Sequence, residues 1–396
     1  MRVSLSPHRS NSTSLDQGKA PPLLDPGGAS SILGSCSAEG ALAEPIRPAA
    51  DTLFGPRGAV LVKPSGPLVV CDTGHHRLLL WHEIPRHDGA PADLVIGQPG
   101  FDREGRNAKA AIGANTLNVP TGIACDGRVL AVADAWNHRV LLWLGLPTRS
   151  NQPADVVLGQ SDFTQGLANR GEPAPTAATL NWCYGVALDR GALWVADTGN
   201  RRVLKWHDIP RSNGTPADLV LGQTAFTTRD ENGGRSPDAC GMRWPHGMAT
   251  VQERLFVADA GNNRVMCWEA PHQDGEPCDL VLGQADFGGV DHNQAAYFPT
   301  SRALNMPYGA TVLAGSLVIA DTANSRLLGF NLDRIEMNAP ASSLAAQPGF
   351  GDKGDNRWGV PRRDSLCWPY SVSSCGNTLV IADSGNNRVM LWEAAA

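Results

Sequence analysis

Charge is scarce in this chain. Asp, Glu, Lys and Arg make up 18% of its 396 residues, and the formal net charge is −6. A general nucleic-acid binder needs a basic stripe to displace phosphate counterions, so nucleic acid is an unlikely partner. Apolar runs are short as well: none reaches 18 residues, and no membrane-spanning helix is expected. The first 28 residues are rich in Ser, Pro and Gly and lack the apolar stretch of a secretory leader, which predicts a flexible tail over 1–28. The nine cysteines are odd in number and contain no Cys-x-x-Cys pair. Free thiols without a leader predict a reducing, cytoplasmic location. Neither a P-loop nor a Gly-x-Ser-x-Gly nucleophile turn occurs. The familiar signatures of hydrolases and nucleotide enzymes are therefore missing.

What the chain does have is glycine (43) and proline (29), the composition of many short strands joined by turns. It also has a repeat. Asp72, Asp134, Asp197, Asp259, Asp321 and Asp383 recur at intervals of 62 or 63 residues. Five positions after each stands an arginine: Arg77, Arg139, Arg202, Arg264, Arg326 and Arg388. Nine positions after each stands an aromatic: Trp81, Trp143, Trp206, Trp268, Phe330 and Trp392. A period of this size across most of the chain means a repeat architecture.

Each repeat carries four strand candidates, a to d, clearest in the second copy. These are residues 122–125, a turn at Asp126-Gly127, then 129–133, 139–143 and 155–158. Asp-Gly is a favoured hairpin turn. A four-stranded sheet with two apolar faces must stack on the next one, and repetition about an axis gives a propeller. The last repeat ends before any d strand, while Ser31-Ile32-Leu33-Gly34 matches the d-strand motif of Asp93–Gly97 and its relatives. The expected architecture is an all-β, six-bladed β-propeller of four-stranded antiparallel blades. It forms one domain over residues 29–396, closed by an N-terminal outer strand that completes the last blade and removes exposed edges.

The turn pattern Asp-x-x-Asn-x-Arg, preceded by Pro-x-Gly and a short apolar strand, resembles the NHL repeat. Asn137-His138-Arg139 is close to the triplet that names that family. All six copies keep the Asp and Arg. His75 replaces the Asn in the first copy, Cys183 the Pro in the third, and Ser371 the Gly in the sixth. The resemblance implies a propeller of the kind that mostly serves as a binding platform for protein or RNA, with some similar propellers acting as lyases or lactonases. Fold alone does not choose among these.

Six equivalent Asp–Arg pairs suit a scaffold, because one active site needs one constellation. The d-to-a loops share Gln-x-x-Phe, with an Asn six residues after the Phe, in five copies from Gln98 to Asn356. These read as packed loops with the Asn in a turn, or else as a ring of amides offered to a ligand. The repeats disagree most just before strand a, at Arg57, Thr121, Tyr184, His246, Tyr308 and Tyr370. Trp182, Trp244 and Trp368 stand two residues before three of these. The innermost strand lines a propeller's channel, so this ring is placed at the channel mouth. It reads either as an aromatic cap that excludes water or as a ligand site with one cation. His246 is the single histidine at these positions, so no metal centre and no cofactor is expected.

The expected function is a non-enzymatic binding or scaffold propeller for a protein or small-molecule ligand, most simply a monomer without membrane association. The alternative is a lyase or lactonase-type hydrolase in the channel, with His246, Arg57 and a Tyr as acid–base and oxyanion groups.

Overall fold

The structure, a computed structural model, describes residues 20–34 and 46–396. Six four-stranded antiparallel sheets follow one another along the chain. In the second blade the strands are Pro120–Cys125, Leu130–Asp134, Arg139–Trp143 and Val156–Leu158, each within two residues of its expected bounds. Strand a of every blade contacts strand a of the next, and the sixth contacts the first, so the inner strands form a closed ring.

Alternation along each strand divides its side chains between two neighbours. Val129, Ala131 and Ala133 pack into the core shared with blade 3, while Leu130 and Val132 face blade 1. Six apolar clusters result, one between each pair of consecutive blades. No single blade has a core of its own. The Gly of the Pro-x-Gly motif permits the inner strands to meet: a Cβ on Gly122 would stand 2.6 Å from the Tyr184 carbonyl oxygen of the next blade.

The ring closes as expected. Ser31–Leu33 pairs antiparallel with Arg388–Glu393 and is the outer strand of the sixth sheet. The expected tail needs correction, however. Residues 1–19 lie outside the described residues, but residues 20–28 belong to the packed fold rather than to a tail. Pro22 bridges Leu344 in blade 5, Leu24 bridges Ala394 in blade 6, and both Leu23 and Leu24 are buried. The reason lies in the hydrogen bonding of the sixth blade. The c-strand tryptophans each donate their indole N–H to a carbonyl of the following c-to-d connection, as Trp143 does to Gln152 at 3.1 Å. In the sixth blade, whose outer strand is Ser31–Leu33, Trp392 donates instead to the Asp25 carbonyl at 2.8 Å.

The repeated Asp–Arg pair is a buried clasp at the b-to-c turn, and both side chains are fully buried in all six blades. In blade 3, Asp197 Oδ1 accepts the Asn181 N–H at 2.7 Å, while Oδ2 accepts from Asn200 Nδ2 and Arg202 Nε, each at 2.8 Å. Arg202 Nη2 donates to the Thr176 and Thr179 carbonyls, and Nη1 to the Phe226 carbonyl. One guanidinium thereby staples the loops on both sides of its blade. The loop asparagines pair amide to amide with the turn asparagines, as Asn169 does with Asn200. They sit in the left-handed region, with Asn169 at φ 50°. The amides are turned inward as structure.

Candidate functional site: an aromatic septum beneath a tryptophan-rimmed bowl

Five of the six ring residues meet at the mouth of the channel. His246 stacks between Tyr184 and Tyr308, with ring centroids 5.0 and 4.5 Å away. Tyr308 lies 4.7 Å from Tyr370, and the Arg57 guanidinium sits 4.9 Å over the Tyr370 ring. Together they form a septum. Below it, a channel of about 410 Å³ runs between the inner strands. Above it opens a bowl of about 1200 Å³, and the same five side chains line both spaces. Thr121 departs from the expected ring: it is fully buried, lines neither space, and donates its hydroxyl to the Tyr184 carbonyl at 3.0 Å.

Burial sets the electrostatics of the septum. His246 is pushed down to about 4, chiefly by desolvation, with the nearby Arg57 charge adding to the effect. Its imidazole is therefore neutral near pH 7. A carbonyl oxygen can only accept, so Nδ1, 2.9 Å from the Trp244 carbonyl, carries the proton and Nε2 the lone pair. Desolvation raises the Tyr308 and Tyr370 hydroxyls, which Arg57 partly counters. Both are neutral donors at physiological pH.

The rim of the bowl exposes large aromatic faces. Trp182 is 49% exposed, Phe54 47%, Trp244 41%, Trp368 40% and Trp136 39%, and all five line this one space. Arg106 lies 4.8 Å over the Trp136 ring, and Arg243 lies 5.2 Å over Trp244. The sequence reading found Trp182, Trp244 and Trp368 but missed Phe54, Trp136, Arg106 and Arg201. A signal for Trp136 was present: it stands in the b-to-c turn where the other copies carry Gly74, Gly199, Gly261, Ala323 and Gly385.

A repeated turn device builds this rim. Gly55, Val119, Trp182, Met306 and Trp368 all have left-handed backbones, with φ between 46° and 58°. The N–H of each donates to the turn residue of the preceding blade: Asn387, His76, His138, Asn263 and Ser325 respectively. His76 and His138 accept through Nδ1, and burial pushes both down to about 4, which keeps them neutral acceptors. The fourth blade breaks the pattern. Its preceding turn residue is Arg201, which has no acceptor, and the Trp244 N–H turns to Asp259 Oδ1 of its own blade at 3.1 Å. Trp244 is correspondingly absent from the left-handed residues. The broken position is the one that directs a carbonyl at His246.

Among the described residues, no group of three or more His, Cys, Asp or Glu is placed to hold a metal ion, and no helix is long and apolar enough to cross a membrane.

Fold and turn geometry define the class: a six-bladed β-propeller whose blades are clasped at Asp-x-x-Asn-x-Arg turns. Curated relatives are NHL repeat-containing proteins. The chain is 27% identical over 256 residues to NHL repeat-containing protein 2 of Gallus gallus, covering 59% of this chain and 33% of that one. It is 25% identical over 354 residues to NHL repeat-containing protein 2 of Homo sapiens, covering 82% and 44%. The chain is thus similar in sequence to NHL-repeat proteins and has the six-bladed propeller fold. The chain spans less than half the length of these relatives. No protein-family model matches it. Among solved structures, a gluconolactonase of Xanthomonas campestris aligns at 14% identity and TM-score 0.47, over 96% of this chain and all of that one. At that score the likeness says nothing of chemistry here.

Proposed function

We propose that this propeller is a recognition module that binds a ring-bearing small molecule, or a side chain of a partner protein, in the bowl above the septum. The observation that carries this reading is the convergence of five exposed aromatic side chains on one concave space. Large exposed apolar faces gathered in a concavity mark binding sites far more often than scattered ones do. The septum is the floor, giving the ligand hydroxyl donors and a stacked aromatic surface. A lyase or hydrolase reading would need His246 as a base, but its Nδ1 proton is committed to Trp244 and burial makes the ring a weak base. Recognition without turnover is the reading we favour. The eight described cysteines, all free, support a reducing, cytoplasmic setting. We take the protein to act as a monomer, away from membranes and nucleic acid.

The test is ligand-observed NMR with simple ring probes on the wild type and on a Trp182→Ala/Trp368→Ala double variant. Saturation transfer to a probe should be strong in the wild type and fall at least tenfold in affinity in the variant. Equal binding by both proteins would place the ligand elsewhere.

A further inference from the structure

Arg57 is the cation on the floor of the bowl, and its surroundings differ from those of the six clasp arginines. The six clasp arginines each hold an Asp carboxylate 2.7–3.1 Å from Nε. Arg57 is half-buried and its guanidinium lies over the Tyr370 ring. Among the described residues no carboxylate lies within 4 Å of its guanidinium. A guanidinium removed from bulk water without a counter-charge is a group that a ligand can satisfy.

The rest of the lining points the same way. Arg106, Arg201 and Arg229 also border the bowl, against only Asp230 and Glu231, and Glu231 is already held by Arg243 at 3.1 Å. His76 and His246, the lining histidines, are neutral. The bowl thus carries an excess of fixed positive charge in a protein of net charge −6. A planar guanidinium fork presented singly, over an aromatic face, matches a carboxylate in shape and in charge. A phosphate dianion ordinarily draws on several cations or on backbone N–H groups of a helix start, and the floor offers neither.

We infer that the ligand of this bowl is a ring-bearing carboxylate, its acid group seated on Arg57 and its ring against the tryptophan rim. This rests on the recognition reading above and adds the charge of the ligand to it. Selectivity follows from the pairing. A neutral analogue leaves Arg57 unsatisfied, and a cationic one is repelled.

The experiment compares four probes that share one ring: phenylacetate, 2-phenylethanol, phenethylamine and phenyl phosphate, titrated into the full chain by ligand-observed NMR and calorimetry. Phenylacetate should bind at least tenfold tighter than the alcohol, with the amine weakest. Arg57→Gln should erase that preference, and Arg57→Lys should restore part of it. Because Arg57 makes no ion pair among the described residues, the Gln variant should unfold close to the wild-type temperature, which separates lost recognition from lost folding. An acid preference that survives in Arg57→Gln, or an alcohol that binds as well as the acid, overturns the charge assignment alone. Phenyl phosphate binding tighter than phenylacetate overturns the carboxylate in favour of a phosphate. Failure of all four probes overturns ring recognition itself, and the charge assignment with it.

Discussion

The six clasps and the rim of the bowl are built from equivalent positions of one repeat, yet they obey opposite rules. At the clasp every blade has the same fully buried Asp and Arg, and the hydrogen bonds differ little from copy to copy. At the rim the corresponding residues run from Gly55 through Val119 and Met306 to three tryptophans. The difference teaches where each kind of information sits. A buried ion pair has no tolerance for change, because removing one partner strands the other in a medium that cannot solvate it. Five of the six rim positions are held by one backbone N–H donated to the preceding blade, and the sixth by one donated within its own, so the side chain is free to vary.

The most severe way to break this contrast is at the clasp. Arg202→Ala leaves Asp197 buried with one fewer donor and frees three loop carbonyls, so unfolding by urea should show a loss of roughly 3–5 kcal/mol. A loss below about 1 kcal/mol would mean the clasp is dispensable.

The septum should show an intermediate effect that depends on pH. His246 has a folded pKa near 4, below its unfolded value of about 6.5, so its contribution is fully present above about 6.5 and is lost as pH falls toward 4. His246→Phe keeps a stacked ring and removes the titration. Wild-type stability relative to this variant should fall by about 3 kcal/mol between pH 7 and 4. A difference that stays flat across that window would show that the imidazole is not held neutral by burial.

A smaller effect should come from repairing the broken fourth copy. Arg201→Asn supplies the missing acceptor in a left-handed position that Asn favours, for a gain of roughly 0.5–1 kcal/mol in thermal or urea unfolding. It should also move the Trp244 carbonyl and shift the His246 ring resonances. Unchanged resonances would uncouple the turn from the septum. Smallest of all, Trp182→Ala at the rim should change stability by no more than about 0.5 kcal/mol. A larger loss would turn the rim into scaffold.

The same contrast explains what could be read from the sequence. The clasp, the six blades and the closing strand at Ser31–Leu33 were legible because they repeat, and a repeat multiplies a weak local signal by six. The ring of Arg57, Tyr184, His246, Tyr308 and Tyr370 was legible as the place where the repeat fails. Thr121 was misplaced because position alone does not say which way a side chain turns; its hydroxyl found a carbonyl in the next blade. Phe54 and Trp136 were missed because they reach the bowl from different turn positions, and only the curvature of the ring brings them together. Residues 20–28 looked like a tail by composition. Nothing local in them announces that the Asp25 carbonyl accepts from Trp392.

That last exchange has a consequence for how the molecule comes into being. Ser30 and Leu391, which share a hydrogen bond, are 361 residues apart, so the outer strand Ser31–Leu33 can pair only after Arg388–Glu393 has been synthesised. Until then Leu24 and Ile32 lack the sixth-blade residues they pack against. Five blades can stack as they emerge, but the final seam waits for Arg388–Glu393, and the interval before it is when a nascent chain is most open to chaperones or to pairing with a neighbour's free edge.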